Sequence, residues 1–236
     1  VPNNQASQWP ILFDLAGNIF DHFQSTNGFV PDWTFGGGTA LMLQIDHRES
    51  HDIDLFLDDP QIIPYLNPET QGISLNRRPD SYVADGNGVL KLAYKNIGEI
   101  DFICCESITN NPTQRAVIRD CGVNLETPAE IIAKKVYYRG WNFQPRDMFD
   151  LAAVGDRHGI DYVVSALRQC GLSRCEKALE IIEKAKPDFV RSIIGQLMFR
   201  PMTVHLVDTA QAMSRDYLIE TISQLRAANA ARNPRT

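Results

Sequence analysis

Residues 34–57 read TFGGGTALMLQIDHRESHDIDLFL, and the fold follows from how this stretch divides. Trp33, Thr34 and Phe35 are aromatic or β-branched, which suits a short strand. Gly36, Gly37 and Gly38 then permit a turn that a Cβ would obstruct, and they let a ligand approach the main chain. Ala40, Leu41, Met42 and Leu43 form helix readily. A strand, a glycine turn and a helix start in succession aim free N–H groups and a positive helix end at one point, which suits phosphate. Thr39 stands where its hydroxyl either caps the helix or meets a phosphate oxygen.

After a polar crossing, Asp52, Ile53 and Asp54 open a second apolar segment that continues through Leu55, Phe56 and Leu57. Alternation along a strand puts Asp52 and Asp54 on one face and Ile53 and Leu55 in the core. Two neighbouring carboxylates repel, a divalent cation relieves the repulsion, and all-oxygen donors suit Mg²⁺ or Mn²⁺. A charged edge strand is the plainer reading of the pair. The glycine turn and the pair together weigh against it. Within the crossing, Arg48 is placed to meet a triphosphate or to pair with Glu49, whereas His47 and His51 lack the spacing of a metal site. A kinase reading fails: the glycines lack the lysine of a GxxxxGK[ST] loop, and the aspartates follow too closely for the protein-kinase layout.

A net charge of -6 removes any global basic field, which excludes a protein that coats nucleic acid but leaves room for an enzyme with a local basic patch. Cysteines odd in number, with no signal peptide before them, point to reduced thiols in the cytoplasm. No apolar run reaches membrane-spanning length.

Upstream, Ile11, Leu12, Leu15, Ile19, Phe20 and Phe23 recur at helical spacing, so a first helix is expected to lay one face on the sheet, behind a loose start over residues 1–8. Downstream, Asp58, Asp59 and Pro60 open a helix that Asn67 and Pro68 stop. Residues 89–94 and 97–103 alternate as two strands joined by a turn at Lys95 and Asn96. Asp101 lies between Ile100 and Phe102, where a lone carboxylate is costly to bury. If its strand runs beside that of Asp52 and Asp54, Asp101 completes a three-carboxylate cluster, with Glu99 on the same face as its rival. Residues 107–126 show little pattern beyond Arg115 and Arg119, one helical turn apart.

Thr127, Pro128 and Glu130 mark a helix start, with Thr as N-cap and Pro at the first position. Lys134, Lys135 and Arg139 follow on it. Pro145, Arg146 and Asp147 open another helix, on which Asp147 and Asp150 share a side. A capping pair with a salt bridge from Arg146 is its plainer reading. From Asp161 onward every apolar repeat is helical, broken at Pro187 and Pro201, and Arg226, Arg232 and Arg235 are expected to fray. The expected class is α/β (α+β): a mixed-sheet lobe flanked by helices over residues 1–124, then a helical lobe over residues 125–236, with a cleft between them.

Taken in order, Gly37-Gly38-Thr39, a helix, His47-Arg48-x-Ser50-x-Asp52-Ile53-Asp54-Leu55-Phe56, then Glu130-x4-Lys135, Arg139 and Arg146-Asp147-x-x-Asp150-Leu151 resemble one family. It is the nucleotidyltransferases of the AbiEii/AbiGii toxin type, within the DNA polymerase β-like superfamily, and the likeness runs over about residues 10–155. The resemblance implies a polymerase β-like lobe and transfer of a nucleoside monophosphate from an NTP to an acceptor hydroxyl, with release of pyrophosphate. It implies Mg²⁺ or Mn²⁺ on Asp52 and Asp54, joined by Asp101, and triphosphate on Gly37, Gly38, Thr39 and Arg48. It selects Lys135 over Lys134 to face the phosphates and lets Asp147 line the site beside Lys135, with Asp150 structural.

Some members of such families act in toxin–antitoxin systems, and some modify the 3′ end of tRNA. The resemblance therefore implies tRNA or another RNA as acceptor and a cognate antitoxin as partner. An RNA acceptor would need a local patch from Arg77, Arg78, Lys134, Arg139, Arg115 and Arg119. A protein hydroxyl or small metabolite is the alternative acceptor. A regulatory nucleotide-binding module with lost catalysis is the rival class, and the intact aspartate pair speaks against it.

Overall fold

The computed structural model describes residues 6–86 and 88–232. Residues 1–5 of the start expected to be loose, and Arg235, expected to fray, lie outside the described residues. Within that start Ser7 is tied down, its amide donating to Glu49 Oε1 at 2.8 Å and its hydroxyl to the Ser50 carbonyl at 2.6 Å.

α1 (Trp9–Asn27) buries Leu12, Leu15, Ile19 and Phe23 on one face and ends at Gly28 in the left-handed region, φ 81°. β1 (Trp33–Gly36) runs directly into α2 (Gly37–Ile45), and β2 (Ile53–Leu57) follows the polar crossing. The single helix expected after residue 58 is instead a 3-10 turn (Ile63–Leu66) and a four-residue helix, α3 (Pro68–Gln71). Pro64 and Pro68 account for the division, since neither can donate inside a longer helix, and Asn67 caps α3 by accepting from the Glu69 amide.

The remaining strands are β3 (Ser81–Ala84), β4 (Val89–Tyr94), β5 (Gly98–Cys104), β6 (Thr113–Ile118) and β7 (Cys121–Glu126). They form one mixed sheet in the order β3-β4-β5-β2-β1-β7-β6. β2 runs parallel to β5 and antiparallel to β1, and β1 is parallel to β7. β6 and β7 correct the reading of residues 107–126 as unpatterned: they are an antiparallel hairpin, and Arg119 sits in its turn at φ 49°, paired with Asp14 at 2.7 Å. Arg115 and Arg119 therefore share no helical face.

Alternation gives the sheet one buried side and one open side. Ile53, Leu55, Ile100, Phe102, Leu90 and Leu92 are buried, and Phe20 of α1 stacks on Trp33 at 5.0 Å and meets the Phe102 edge at 5.6 Å. Asp54, Phe56, Lys91 and Asp101 occupy the open side.

The chain is helical after Thr127: α4 (Pro128–Arg139), α5 (Pro145–His158), α6 (Ile160–Arg168), α7 (Leu172–Lys184), α8 (Pro187–Ile194) and α9 (Leu206–Arg232). A mixed sheet flanked by helices and followed by a helical lobe is the architecture expected. α9 continues well past the point where fraying was expected, and Arg226 on it pairs with Glu176 at 2.8 Å. Gly155 of α5 permits the approach of α9, because a Cβ there would stand 2.3 Å from the Tyr217 hydroxyl. Among the described residues no helix is long and apolar enough to cross a membrane.

The crossing between α2 and β2 is stitched to the segment between α8 and α9. The Glu49 amide donates to the Met198 carbonyl (2.8 Å), and the Arg200 amide donates to that of His47 (3.0 Å). Arg200 also pairs with Asp46 and Glu49 at 2.7 and 2.8 Å. These bonds close one end of the cleft that faces the open side of the sheet.

Candidate active site

One row of residues crosses four strands. Gly36 on β1 is the register partner of Asp54 on β2, Asp54 is the partner of Asp101 on β5, and Asp101 is the partner of Lys91 on β4. Burial, then the charges of Asp101 and Asp52, push the Asp54 carboxyl up to about 7. Burial also raises Asp101, against the pull of Lys91. The Lys91 ammonium donates to Asp101 Oδ2 at 2.8 Å and to Glu99 Oε2 at 2.5 Å. Asp101 Oδ1 is buried without a hydrogen-bond partner. Asp52 lies one residue before β2, and its Oδ1 accepts from the Glu99 amide at 2.9 Å.

These residues fit a hard cation. The donors are carboxylate oxygens, Asp54 is raised by the charge of its strand neighbour Asp101, and one buried oxygen lacks any partner. Among the described residues no three His, Cys, Asp or Glu side chains already form a metal cage. Asp54 and Asp101 offer a pair, with Asp52 nearby and turned toward β5.

The glycine turn abuts this row. Gly37 has φ +68°, and a Cβ on it would lie 1.8 Å from Asp54 Oδ2, so main chain and carboxylate touch where α2 begins. Gly37 and Gly38 line a cleft of about 630 Å³ together with Asp52, Asp54 and Asp101. The first turn of α2 leaves amide N–H groups without helical acceptors, directed at the same place. Thr39 lies beneath the turn: it is fully buried, and its hydroxyl donates to the Asp52 carbonyl, fixing the approach to β2.

Across the cleft, α4 and α5 contribute a buried charge network. Lys135 Nζ lies 2.7 Å from Asp147 Oδ1 and 3.0 Å from Asp150 Oδ2. Burial disfavours its charge, but the two aspartates outweigh that and raise the ammonium's pKa. Arg139 reaches Asp147 at 3.3 Å, and Asp147 also accepts from the Gln144 amide, closing the first turn of α5. Arg48 is bidentate on Asp150, at 2.6 and 2.9 Å, its Nη1 donates to the Glu49 carbonyl at 3.1 Å, and its edge borders the cleft beside Gly38. His47 Nε2 lies 2.9 Å from the same carboxylate, which can only accept, so this nitrogen donates. Burial would raise the Asp150 carboxyl, but Arg48, then Lys135 and His47, hold it well below the usual range.

The expected basic patch is not assembled as drawn. Lys134 is buried against Glu126 at 2.6 Å and over the Phe56 ring at 3.9 Å. Arg77, Arg78, Arg115 and Arg119 are exposed and do not line the cleft, whereas Arg139 and Arg146 do. Arg146 makes no ion pair or hydrogen bond among the described residues, so the salt bridge read for it is absent there. Sequence reasoning missed Lys91 and Glu126 as cleft residues. Glu126 Oε1 joins Lys134 to the Thr34 hydroxyl.

The chain matches the model of a family described as nucleotidyl transferase AbiEii toxin, type IV TA system, over residues 20–223. No curated protein matches it significantly. Among solved structures, a candidate nucleotidyltransferase from H. pylori matches with 13% identity and a TM-score of 0.49, covering 95% of this chain and 99% of that one. The CD-NTase CdnG of Bradyrhizobium diazoefficiens, solved with GTP, matches with 12% identity and a TM-score of 0.29, over 86% of this chain and 80% of that one. The STING-associated c-di-GMP synthase CdnE of Capnocytophaga granulosa matches with 10% identity and a TM-score of 0.26, over 84% and 75%.

Proposed function

We infer the reaction from one premise: the chain belongs to the nucleotidyl transferase AbiEii toxin family and is a nucleotidyltransferase. In the proposed reaction an NMP passes from an NTP to an acceptor hydroxyl. The acceptor hydroxyl loses its proton to solvent as its oxygen bonds to the α-phosphorus, the bond from that phosphorus to the bridging oxygen breaks, and pyrophosphate leaves. The carrying observation is the register pair of Asp54 and Asp101 set against Gly37, at the start of a helix.

Asp54 and Asp101, with Asp52 beside them, would hold Mg²⁺ or Mn²⁺, which neutralises phosphate charge and acidifies the acceptor hydroxyl. The Gly37 and Gly38 turn is shaped to let a triphosphate lie against main chain, where the amides of α2 receive its oxygens. Lys135 supplies fixed positive charge on the opposite wall, oriented by Asp147 and Asp150. Arg146, exposed at the cleft and free of any partner among the described residues, is placed to take a further phosphate oxygen. Thr39 acts from below, by holding the main chain at Asp52. Lys134 serves the wall, paired with Glu126.

For the acceptor we propose RNA, in particular tRNA, approached through Arg139 and Arg146 at the cleft. The family's toxin character adds a cognate antitoxin to the proposed partners. The test is incubation with Mg²⁺, each α-labelled NTP in turn and total RNA plus cell extract, with Asp54→Asn alongside. Label in a tRNA-sized band, absent with the variant, supports the reading. Label on protein or a small molecule keeps the chemistry and removes the RNA acceptor. No label on anything overturns the reaction.

A further inference from the structure

Asp101 belongs to two pairs at once. On one side its register partner is Asp54, and on the other it is Lys91, whose ammonium occupies Oδ2 and also binds Glu99. Only Oδ1 remains, buried and unpartnered. A brace for the sheet does not explain this arrangement. The Lys91 side chain is 31% exposed and that of Glu99 39%, a range in which ion pairs add little to stability, and main-chain bonds already fix β4 on β5.

We propose that Lys91 is a resident cation of the carboxylate row, which limits the nucleotide-free protein to weak uptake of a single divalent ion at Asp54 and Asp101. This rests on the reading that those two aspartates hold the metal. An ion on Oδ1 and the ammonium on Oδ2 flank one carboxylate, about 6 Å apart once the metal–oxygen bond and the 2.8 Å ammonium contact are added to the carboxylate's width. A doubly charged ion and an ammonium at that separation repel enough to lower affinity about tenfold even at the dielectric constant of water. Removing Lys91 also releases Asp101 to rotate, which acts the other way. Ordering one short side chain is the smaller effect, and the freed Glu99 adds attraction. Nucleotide-bound metal would meet the same site with its charge already offset by phosphate, so Lys91 favours the ion that arrives on the substrate. Lys91 acts through Asp101 and is a positioning residue, not a catalytic one.

The test is direct binding of Mn²⁺ to nucleotide-free protein, read from the loss of the free-ion paramagnetic signal, for the native chain and for Lys91→Met, Lys91→Gln, Lys91→Arg and Asp54→Asn. The expected result is at most one weakly held ion in the native chain, about tenfold tighter binding in the Met and Gln variants, native behaviour in the Arg variant, and loss of binding in Asp54→Asn. The Gln variant repeats the charge removal should the Met variant fold poorly. Unchanged or weaker binding in folded Met or Gln variants, with Asp54→Asn still deficient, overturns the role of Lys91 alone. Binding that Asp54→Asn leaves intact overturns the metal-site reading, and this inference with it.

Discussion

Asp54 and Asp101 are register partners on adjacent parallel strands, and both stand on the side of the sheet that faces the cleft. Parallel pairing of β2 with β5 keeps the two carboxylates side by side, where the charge of Asp101 makes Asp54 harder to ionise. Such an arrangement costs stability in the empty protein and gains purpose when a cation joins it. Asp54→Asn is therefore expected to separate the two quantities. Nucleotidyl transfer should fall by about 10³-fold. The thermal midpoint of the metal-free protein should rise by ~2–4 °C, the equivalent of about 1 kcal/mol at this chain length. Calorimetry beside the labelled-NTP assay checks both, and a lowered midpoint would contradict the account of repulsion.

Gly37 sets how closely the phosphate turn approaches that pair. A Cβ there meets Asp54 Oδ2 at 1.8 Å and also has to adopt φ +68°. Gly37→Ala should displace Asp54 by several tenths of an ångström or more, with an activity loss of about 10²-fold and a stability loss of about 1–2 kcal/mol. Gly38→Ala is the comparison: its Cβ would meet the Ser50 hydroxyl at 2.8 Å and a guanidinium nitrogen of Arg48 at 3.2 Å, not a carboxylate of the row. It should lose less activity than Gly37→Ala in the same assay.

How much of this was legible depended on whether a residue's neighbours are local. The alternation of Ile53, Asp54, Leu55 and Phe56 announces its own faces, and the structure follows it. Lys91 was hidden by one residue of register. A two-residue turn at Lys95 and Asn96 would pair Lys91 with Ile100. The actual connection also includes Ile97, with Asn96 at φ 64°, and pairs Lys91 with Asp101. A slip of one exchanges the faces, so a turn misjudged by one residue conceals the ammonium. The β6–β7 hairpin was missed because Arg119 and Asp120 take its two left-handed positions without a glycine to signal them. The resemblance made Asp150 structural without naming what it holds, because its partners His47 and Arg48 lie 103 and 102 residues away, beyond any local pattern.

The two adjacent lysines of α4 should behave differently. Lys134 and Glu126 form a buried pair, so Lys134→Met should destabilise by about 3–5 kcal/mol by stranding the carboxylate. Adding Glu126→Gln should recover most of that loss. Lys135→Met would instead leave its partner Asp150 held by Arg48 and His47 and should reduce transfer more than it reduces stability. Denaturant unfolding of the four proteins, with transfer rates, distinguishes a wall lysine from a phosphate lysine. Equal activity losses at equal stability would remove the distinction.

Asp150 joins the crossing between α2 and β2 to α4 and α5, and its state governs how the cleft responds to acid. Its folded pKa is held well below the ordinary value of 3.8, so its contribution to stability is fully present above that value. As pH falls below about 4, the unfolded chain takes up a proton that the native carboxylate refuses, and the contribution is lost progressively toward the folded pKa. His47 acts in the same direction from higher pH. Burial lowers its pKa beneath 6.5 despite the Asp150 hydrogen bond, so stability begins to decline as pH drops through the unfolded value. Asp150→Asn leaves Arg48 and Lys135 without their shared anion and should cost about 3–5 kcal/mol near neutrality. Its deficit relative to the native chain should narrow as both are acidified below pH ~4, because only the native chain has that carboxylate's stabilisation to lose. Urea midpoints measured from pH 8 to pH 3 test this, and a deficit that stayed constant over the acid range would show that Asp150 does not stabilise the fold as a charged hub.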